Sequence, residues 1–137
     1  MSKIRRLNPE GMHPTPGYAH VTISEGNRQA HLAGQCPLDL DGTLIGMGDI
    51  DAQVDQIVNN SIKALTHVDA APDRVIRSVI YVASSERADL ARVWDRFTHS
   101  PLAPAFSTAS TLVGVSQLGY EGQLVELDLT ALLDSFF

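Results

Sequence analysis

Cysteine, aromatic residues and positive charge are all scarce in this chain. It carries one cysteine (Cys36), one tryptophan, three tyrosines and four phenylalanines in 137 residues. A single cysteine excludes an intrachain disulfide framework and fits a reducing, cytoplasmic setting. Lysine and arginine together number 10 against 16 acidic residues, a formal net charge of -6. With no basic run and no basic helical stripe, nucleic acid and anionic membrane are excluded as default partners. No stretch approaches the ~20 apolar residues of a membrane span. The charged start, Met1 to Arg6, has no apolar run behind it and does not read as a targeting segment. Repeats and low-complexity segments are absent as well. What remains is a single domain, residues 1–137, long enough to bury about two-thirds of its unfolded surface.

Residues 1–17 read as an irregular arm, since residues 8–17 hold three prolines and two glycines. Tyr18 to Glu25 reads as a strand. Gly26-Asn27 is a hairpin signal, and Gln29 to Ala33 reads as the returning strand. Asp41-Gly42 marks a tight turn. Val54, Ile57, Val58, Ile62 and Leu65 recur at spacings of three and four, with Ser61 in the same stripe. They predict a helix from about Asp51 to Val68, with Asp49 and Asp51 at the end where carboxylates favour exposed amides. Val75 to Val82 is a β-branched apolar run and reads as an interior strand. Ser84-Ser85-Glu86 supplies a cap and an acidic first turn for a second helix. The apolar face of that helix is Leu90, Val93, Trp94 and Phe97. Pro101 and Pro104 bracket the connection to a further strand, Phe106 to Val113.

In the last strand Val125, Leu127, Leu129 and Ala131 point one way, and Leu124, Glu126, Asp128 and Thr130 the other. One face must meet the helices. The polar face fits a solvent-facing antiparallel sheet, a reading that periodicity alone does not settle. The order strand-strand-helix-strand-helix-strand-strand, with both helices amphipathic, makes an α+β two-layer domain with two helices on one face of a mixed sheet.

Several separated segments resemble one family. Ala33-Gly34-Gln35-Cys36-Pro37 is similar to a Ser-Gly-Gln-x-Pro segment, and Asp41-Gly42-Thr43-Leu44 to an Asp-Gly hairpin. Asp49 to Gln53 is similar to a helix start that commonly ends in Gln. Val75 to Val82 resembles the strand before the second helix, and Leu124-Val125-Glu126-Leu127 a closing Val-Glu-Ile strand. In this order, over Tyr18 to Ala131, they resemble the reactive-intermediate deaminase (Rid, or YjgF) family. The resemblance implies a chorismate-mutase-like fold and a homotrimer with small-molecule clefts between neighbouring subunits. It implies no cofactor and no metal. An older ribonucleolytic description of the family is not favoured by this charge balance.

The resemblance also assigns site residues. Glu126 matches the glutamate that orients or activates water, where partial desolvation would suit proton transfer. Its bland alternative is one polar residue on an amphipathic strand, a description that fits Asp128 equally. Tyr18 matches a cleft tyrosine, or is a half-buried residue opening a strand. Gly34 could bring its N–H to an anion, or simply serve a bulge. Four positions depart from the family pattern. Phe106 stands where an arginine holds a substrate carboxylate by two charged hydrogen bonds. Ala33 replaces a serine, Ala91 an asparagine and Thr108 a cysteine. A pocket including Phe106, Ala33 and Ala91 should be less polar and should not prefer small amino-acid-derived carboxylates.

Five histidines show no metal-ligand spacing, so surface or edge positions are expected. His20, two residues from Tyr18, shares its face in an extended chain and could donate to a ligand. Cys36 has no basic neighbour in sequence to stabilise a thiolate and reads as inert. Leu112, Val113, Tyr120 and Trp94 read as core or interface packing. Arg92 and Arg96 are candidates to replace the missing cleft charge. Two functions are expected from these residues. One is hydrolysis or tautomerisation of an imine or enamine by Glu126 and Tyr18. The other is a non-catalytic binding or regulatory module on the same fold.

Overall fold

In the computed structural model, which describes residues 3–134, the six strands fall into two groups. Strands β1 (Lys3–Leu7) and β2 (Val21–Glu25) form an antiparallel ribbon. Strands β3 (Gln29–His31), β4 (Val75–Val82), β5 (Ala109–Gly114) and β6 (Val125–Leu132) form a mixed sheet in the order β3-β6-β4-β5. Only β4 and β5 run parallel, and the helix between them makes the crossover that parallel pairing requires.

Helix α1 (Ile50–His67) forms where the apolar spacing places it. The Asp49 side chain accepts from the Ala52 amide at 3.1 Å and caps the first turn. Val54, Ile57, Val58, Ser61 and Leu65 are buried along its inner stripe. Helix α2 (Arg87–Thr98) buries Val93 and Phe97. Its start is organised by Ser84, whose hydroxyl accepts from the Glu86 amide at 3.0 Å and donates to Asp89 at 2.7 Å. Both helices cover the same sheet face, which offers Val125, Leu127, Leu129 and Ala131 of β6 with Ile80 and Val82 of β4. Each Val, Leu or Ile among them, fully buried, contributes about 1.5–3 kcal/mol. This is the predicted α+β two-layer arrangement, and β6 turns its predicted apolar face inward.

Three expectations are corrected. The chain from Tyr18 to Glu25 does not pair with the chain from Gln29 onward. β2 pairs with β1, and β3 pairs with β6. The Gly26-Asn27 turn therefore passes the chain from one group of strands to the other. Part of the leading arm is a strand, since Lys3–Leu7 is β1. It is tied to the main sheet by Arg6, which donates to the carbonyls of Asp73 at 2.7 Å and Val75 at 3.1 Å. Strand β5 begins at Ala109 and not at Phe106, because Ala103–Phe106 is a 3-10 turn.

Two buried glutamines hold the loops that shape the site. Gln53, fully buried, donates to the carbonyls of Gly46 and Gly122 at 3.0 and 2.9 Å and accepts from the Leu124 amide at 2.7 Å. It thus joins the chain before α1 to the chain before β6. Gln123 does comparable work beside Glu126.

Candidate functional site

Two separate groups of candidate residues form within one chain. The first surrounds Glu126. His31 pairs with Thr130, whereas Gln35 bridges to Leu127. Four steps on one strand therefore oppose three on the other, and the extra residue is a bulge at Ala33-Gly34. The bulge presses Gly34 against β6. A Cβ added there would overlap Glu126 Oε2 and stand 3.1 Å from an Asp128 oxygen. A side chain at position 34 would therefore have to displace the Glu126 carboxylate. Ala33, beside it, is exposed.

Glu126 is held through one oxygen. Oε1 accepts from the Cys36 thiol at 3.2 Å and from Gln123 Nε2 at 3.1 Å. Gln123 is buried and is itself fixed, donating to the Val125 carbonyl at 3.0 Å and accepting from the Tyr120 amide at 3.2 Å. Cys36 is fixed from α1, where Asn60 donates to the carbonyls of Cys36 and Leu38 at 3.1 and 2.8 Å. With Oε1 engaged twice, Oε2 is the oxygen turned toward Gly34. Burial, then the hydrogen bond to Glu126, pushes the Cys36 thiol up to about 11, so at neutral pH it is a protonated donor and not a nucleophile. Beside it the Tyr81 hydroxyl donates to Asp128 at 3.0 Å, and that bond, with burial, raises the Tyr81 phenol above its ordinary value.

The second group lies on the helix side. A cavity of about 370 Å³ is lined by Pro16, Tyr18, Ala91, Trp94, Asp95, Ser110 and Leu112. The Tyr18 and Trp94 rings meet edge to face at 6.2 Å. His13 Nε2 lies 3.1 Å from the Tyr18 hydroxyl, and the His20 ring sits edge-on to both. Phe106 does not line this cavity. It is 1% exposed, with its ring 6.0 Å from Trp94 and 5.1 Å from Phe97. Phe106 thus supports the pocket from the core and offers a ligand nothing directly. Thr108 is likewise committed to structure. Its hydroxyl donates to the Ile76 carbonyl at 2.9 Å and meets Thr22 at 2.6 Å.

The structure thus brings Glu126 and Gly34 together and puts Tyr18 and Ala91 on one cavity wall, while His20 packs against Tyr18 and His13 and does not line the cavity. Arg92 and Arg96 are engaged in two-pronged pairs with Asp51 and Asp55 of α1, each with a contact at 2.7 Å. Val113 and Tyr120 are exposed rather than core residues. Sequence reasoning does not anticipate Cys36, Gln123, His13 and Asp95 as members of the site. Of these only Cys36, inside the Gly-Gln-x-Pro segment, carries a signal in sequence. Among the described residues no group of three or more His, Cys, Asp or Glu side chains could hold a metal ion, and no helix is long and apolar enough to cross a membrane.

A family model described as Endoribonuclease L-PSP matches residues 10–133. The chain belongs to the Rid/YjgF family. Among solved structures it resembles YyfB of Yersinia pestis, a Rid protein of unknown function. The two are 31% identical, the match covers 95% of this chain and 98% of that one, and the TM-score is 0.84. Rv2704 of Mycobacterium tuberculosis, of the YjgF/YER057c/UK114 family, matches at 21% identity, 96% and 100% coverage and a TM-score of 0.57. NMB1025 of Neisseria meningitidis, a YjgF family member, matches at 21% identity, 97% coverage of both chains and a TM-score of 0.60. At that identity the last two speak for the fold alone. Comparison with curated proteins gives no match. In this Rid protein Glu126 and Gly34 stand face to face, and Phe106 is closed into the core.

Proposed function

We propose that this Rid protein is a homotrimer whose clefts bind a small, largely apolar metabolite and hydrolyse or tautomerise an imine- or enamine-type group in it. The observation that carries the reading is the fixing of Glu126. One oxygen is held by two donors and the other is directed at a glycine, which is how a carboxylate is aimed at a reacting water. In hydrolysis Glu126 takes a proton from water as the water oxygen bonds to the imine carbon and the C=N electron pair moves to nitrogen. The carbinolamine then loses its amine, which departs with a proton, and a carbonyl remains. The walls around Tyr18 and Trp94 suit the apolar part of the ligand. The Glu126 group and the Tyr18 group lie on opposite sides of the sheet in one chain, so a cleft using both takes them from neighbouring copies.

Small 2-imino acids are poor candidates as substrates. Phe106 offers no charge, and Arg92 and Arg96 are already paired. The burial of Phe106 also favours a second reading, a binding or regulatory module that kept the fold without the chemistry. The two separate on one comparison. Wild type and Glu126→Gln are assayed on a panel of apolar imines and enamines. Turnover lost in the variant supports catalysis. Turnover equal in the two removes Glu126 from any catalytic role.

A further inference from the structure

The cavity beside α2 has a chemical bias that its apolar walls alone do not explain. Two electron-rich rings, Tyr18 and Trp94, stand edge to face at 84° on its wall. One charged side chain lines it, Asp95. Among the described residues that carboxylate makes no ion pair and accepts no hydrogen bond. The basic side chains nearest in sequence, Arg92 and Arg96, are each held two-pronged by Asp51 and Asp55. His99, one turn along the helix, turns its Nδ1 to the Asp95 backbone carbonyl at 2.7 Å and not to the carboxylate. The position that would bring an arginine nearby is Phe106, which is closed into the core against Trp94 and Phe97. An apolar cavity with aromatic walls and one acidic rim residue complements a cation attached to an apolar body. The ring faces attract positive charge through their quadrupoles, and the carboxylate adds a direct contact. The same surroundings repel a carboxylate, which would lose water without gaining a partner.

We propose that this cavity selects a small organic monocation, an ammonium or iminium group on an apolar body, with Asp95 meeting the charge and Trp94 and Tyr18 enclosing it. The inference rests on the ligand-binding reading above and names its ligand class. It inverts the charge preference that an arginine at position 106 would impose. An imine substrate would then enter as its protonated iminium, the form most open to attack by water.

Trp94 is the single tryptophan of the chain, so its emission reports the cavity directly. Fluorescence titrations at pH 8 compare three probes of matched shape: benzylamine, benzyl alcohol and benzoate. Saturable binding in the order benzylamine, benzyl alcohol, benzoate is expected. Asp95→Asn should weaken benzylamine about fivefold, as an exposed charge contact warrants, and leave benzyl alcohol unchanged. Glu86→Gln, a carboxylate change at the far end of α2, should alter neither. If benzyl alcohol binds as tightly as benzylamine, or Asp95→Asn leaves their ratio unchanged, the charge selection is wrong while the apolar pocket stands. Tightest binding by benzoate also overturns the proposal. If none of the three reaches saturation, both the proposal and the pocket on which it rests are refuted.

Discussion

Gly34 and Glu126 pack closely against each other. A methyl group on Gly34 would occupy space held by Glu126 Oε2. The carboxylate can leave only by breaking its bonds to Cys36 and Gln123. Gly34→Ala should therefore cost about 1–3 kcal/mol of stability, the range for an overpacked site, and abolish any Glu126-dependent turnover. Thermal melting and the imine assay read the two effects. The Cys36 thiol reports the same geometry without any substrate. Its pKa is raised to about 11 by burial first and by Glu126 second. In Glu126→Gln the second cause disappears and the larger one remains, so thiol alkylation by iodoacetamide at pH 8 should speed up moderately. A raised thiol pKa also means that the fold favours the neutral form. That contribution is intact below the ordinary value near 9 and is lost as the pH rises through about 11. Urea midpoints at pH 8 and pH 10.5 should converge in Cys36→Ser relative to wild type. Tyr81, also raised, adds a decline of the same sign in both proteins. An equal fall in the two midpoints would show that folding does not raise the thiol.

At the scale of elements, Gln53 shows how a buried polar residue sets the position of two loops. It satisfies two carbonyls and one amide from a fully buried position. Gln53→Leu would keep the volume and strand all three groups, a cost of several kcal/mol by the usual penalty of about 1–3 for each. The variant should melt far below wild type. A small shift would mean that water replaces the side chain. Elements with strong periodicity are legible in the sequence itself. The α1 stripe and the β-branched run of β4 stand almost residue for residue where spacing places them. Pairing partners are less legible. Gly26-Asn27 has the composition of a hairpin turn, yet composition carries nothing about which strand waits on the far side. β1 escapes a pattern reading because Lys3-Ile4-Arg5-Arg6-Leu7 is short and strongly charged, and its anchor is a long-range bond from Arg6 to Asp73 and Val75. The start of β5 is misplaced by pattern because Phe106 has the character of a strand residue, while Pro104 keeps the backbone in a tight turn. The site divides in the same way. Glu126, Gly34 and Tyr18 belong to recognisable segments. Gln123 and His13 act through contacts that only the folded chain creates, and Asp95 reaches the cavity only once α2 is docked.

For the whole molecule the decisive question is whether the two halves of the site ever meet. Glu126 projects from the sheet face opposite the helices, and the Tyr18 and Trp94 cavity lies on the helix side. No rearrangement of side chains in one copy brings them together, whereas a closed ring of copies can. Sedimentation should therefore report three chains per particle, and a clean monomer at micromolar concentration would leave the proposed cleft without its second half. A stricter test uses two defective variants. Glu126→Gln lacks the proton acceptor, and Asp95→Arg sets a cation at the cavity rim where the ligand charge should sit. Each pure protein should be inactive on a substrate turned over by wild type. When equal amounts are unfolded, mixed and refolded, a cleft is intact if its cavity comes from the first variant and its glutamate from the second. Random assembly puts that combination at about one cleft in four. Recovery of about a quarter of the wild-type rate would place the site between copies. If both groups served one active site within a single chain, no mixed particle would contain an intact site and the rate would stay at zero.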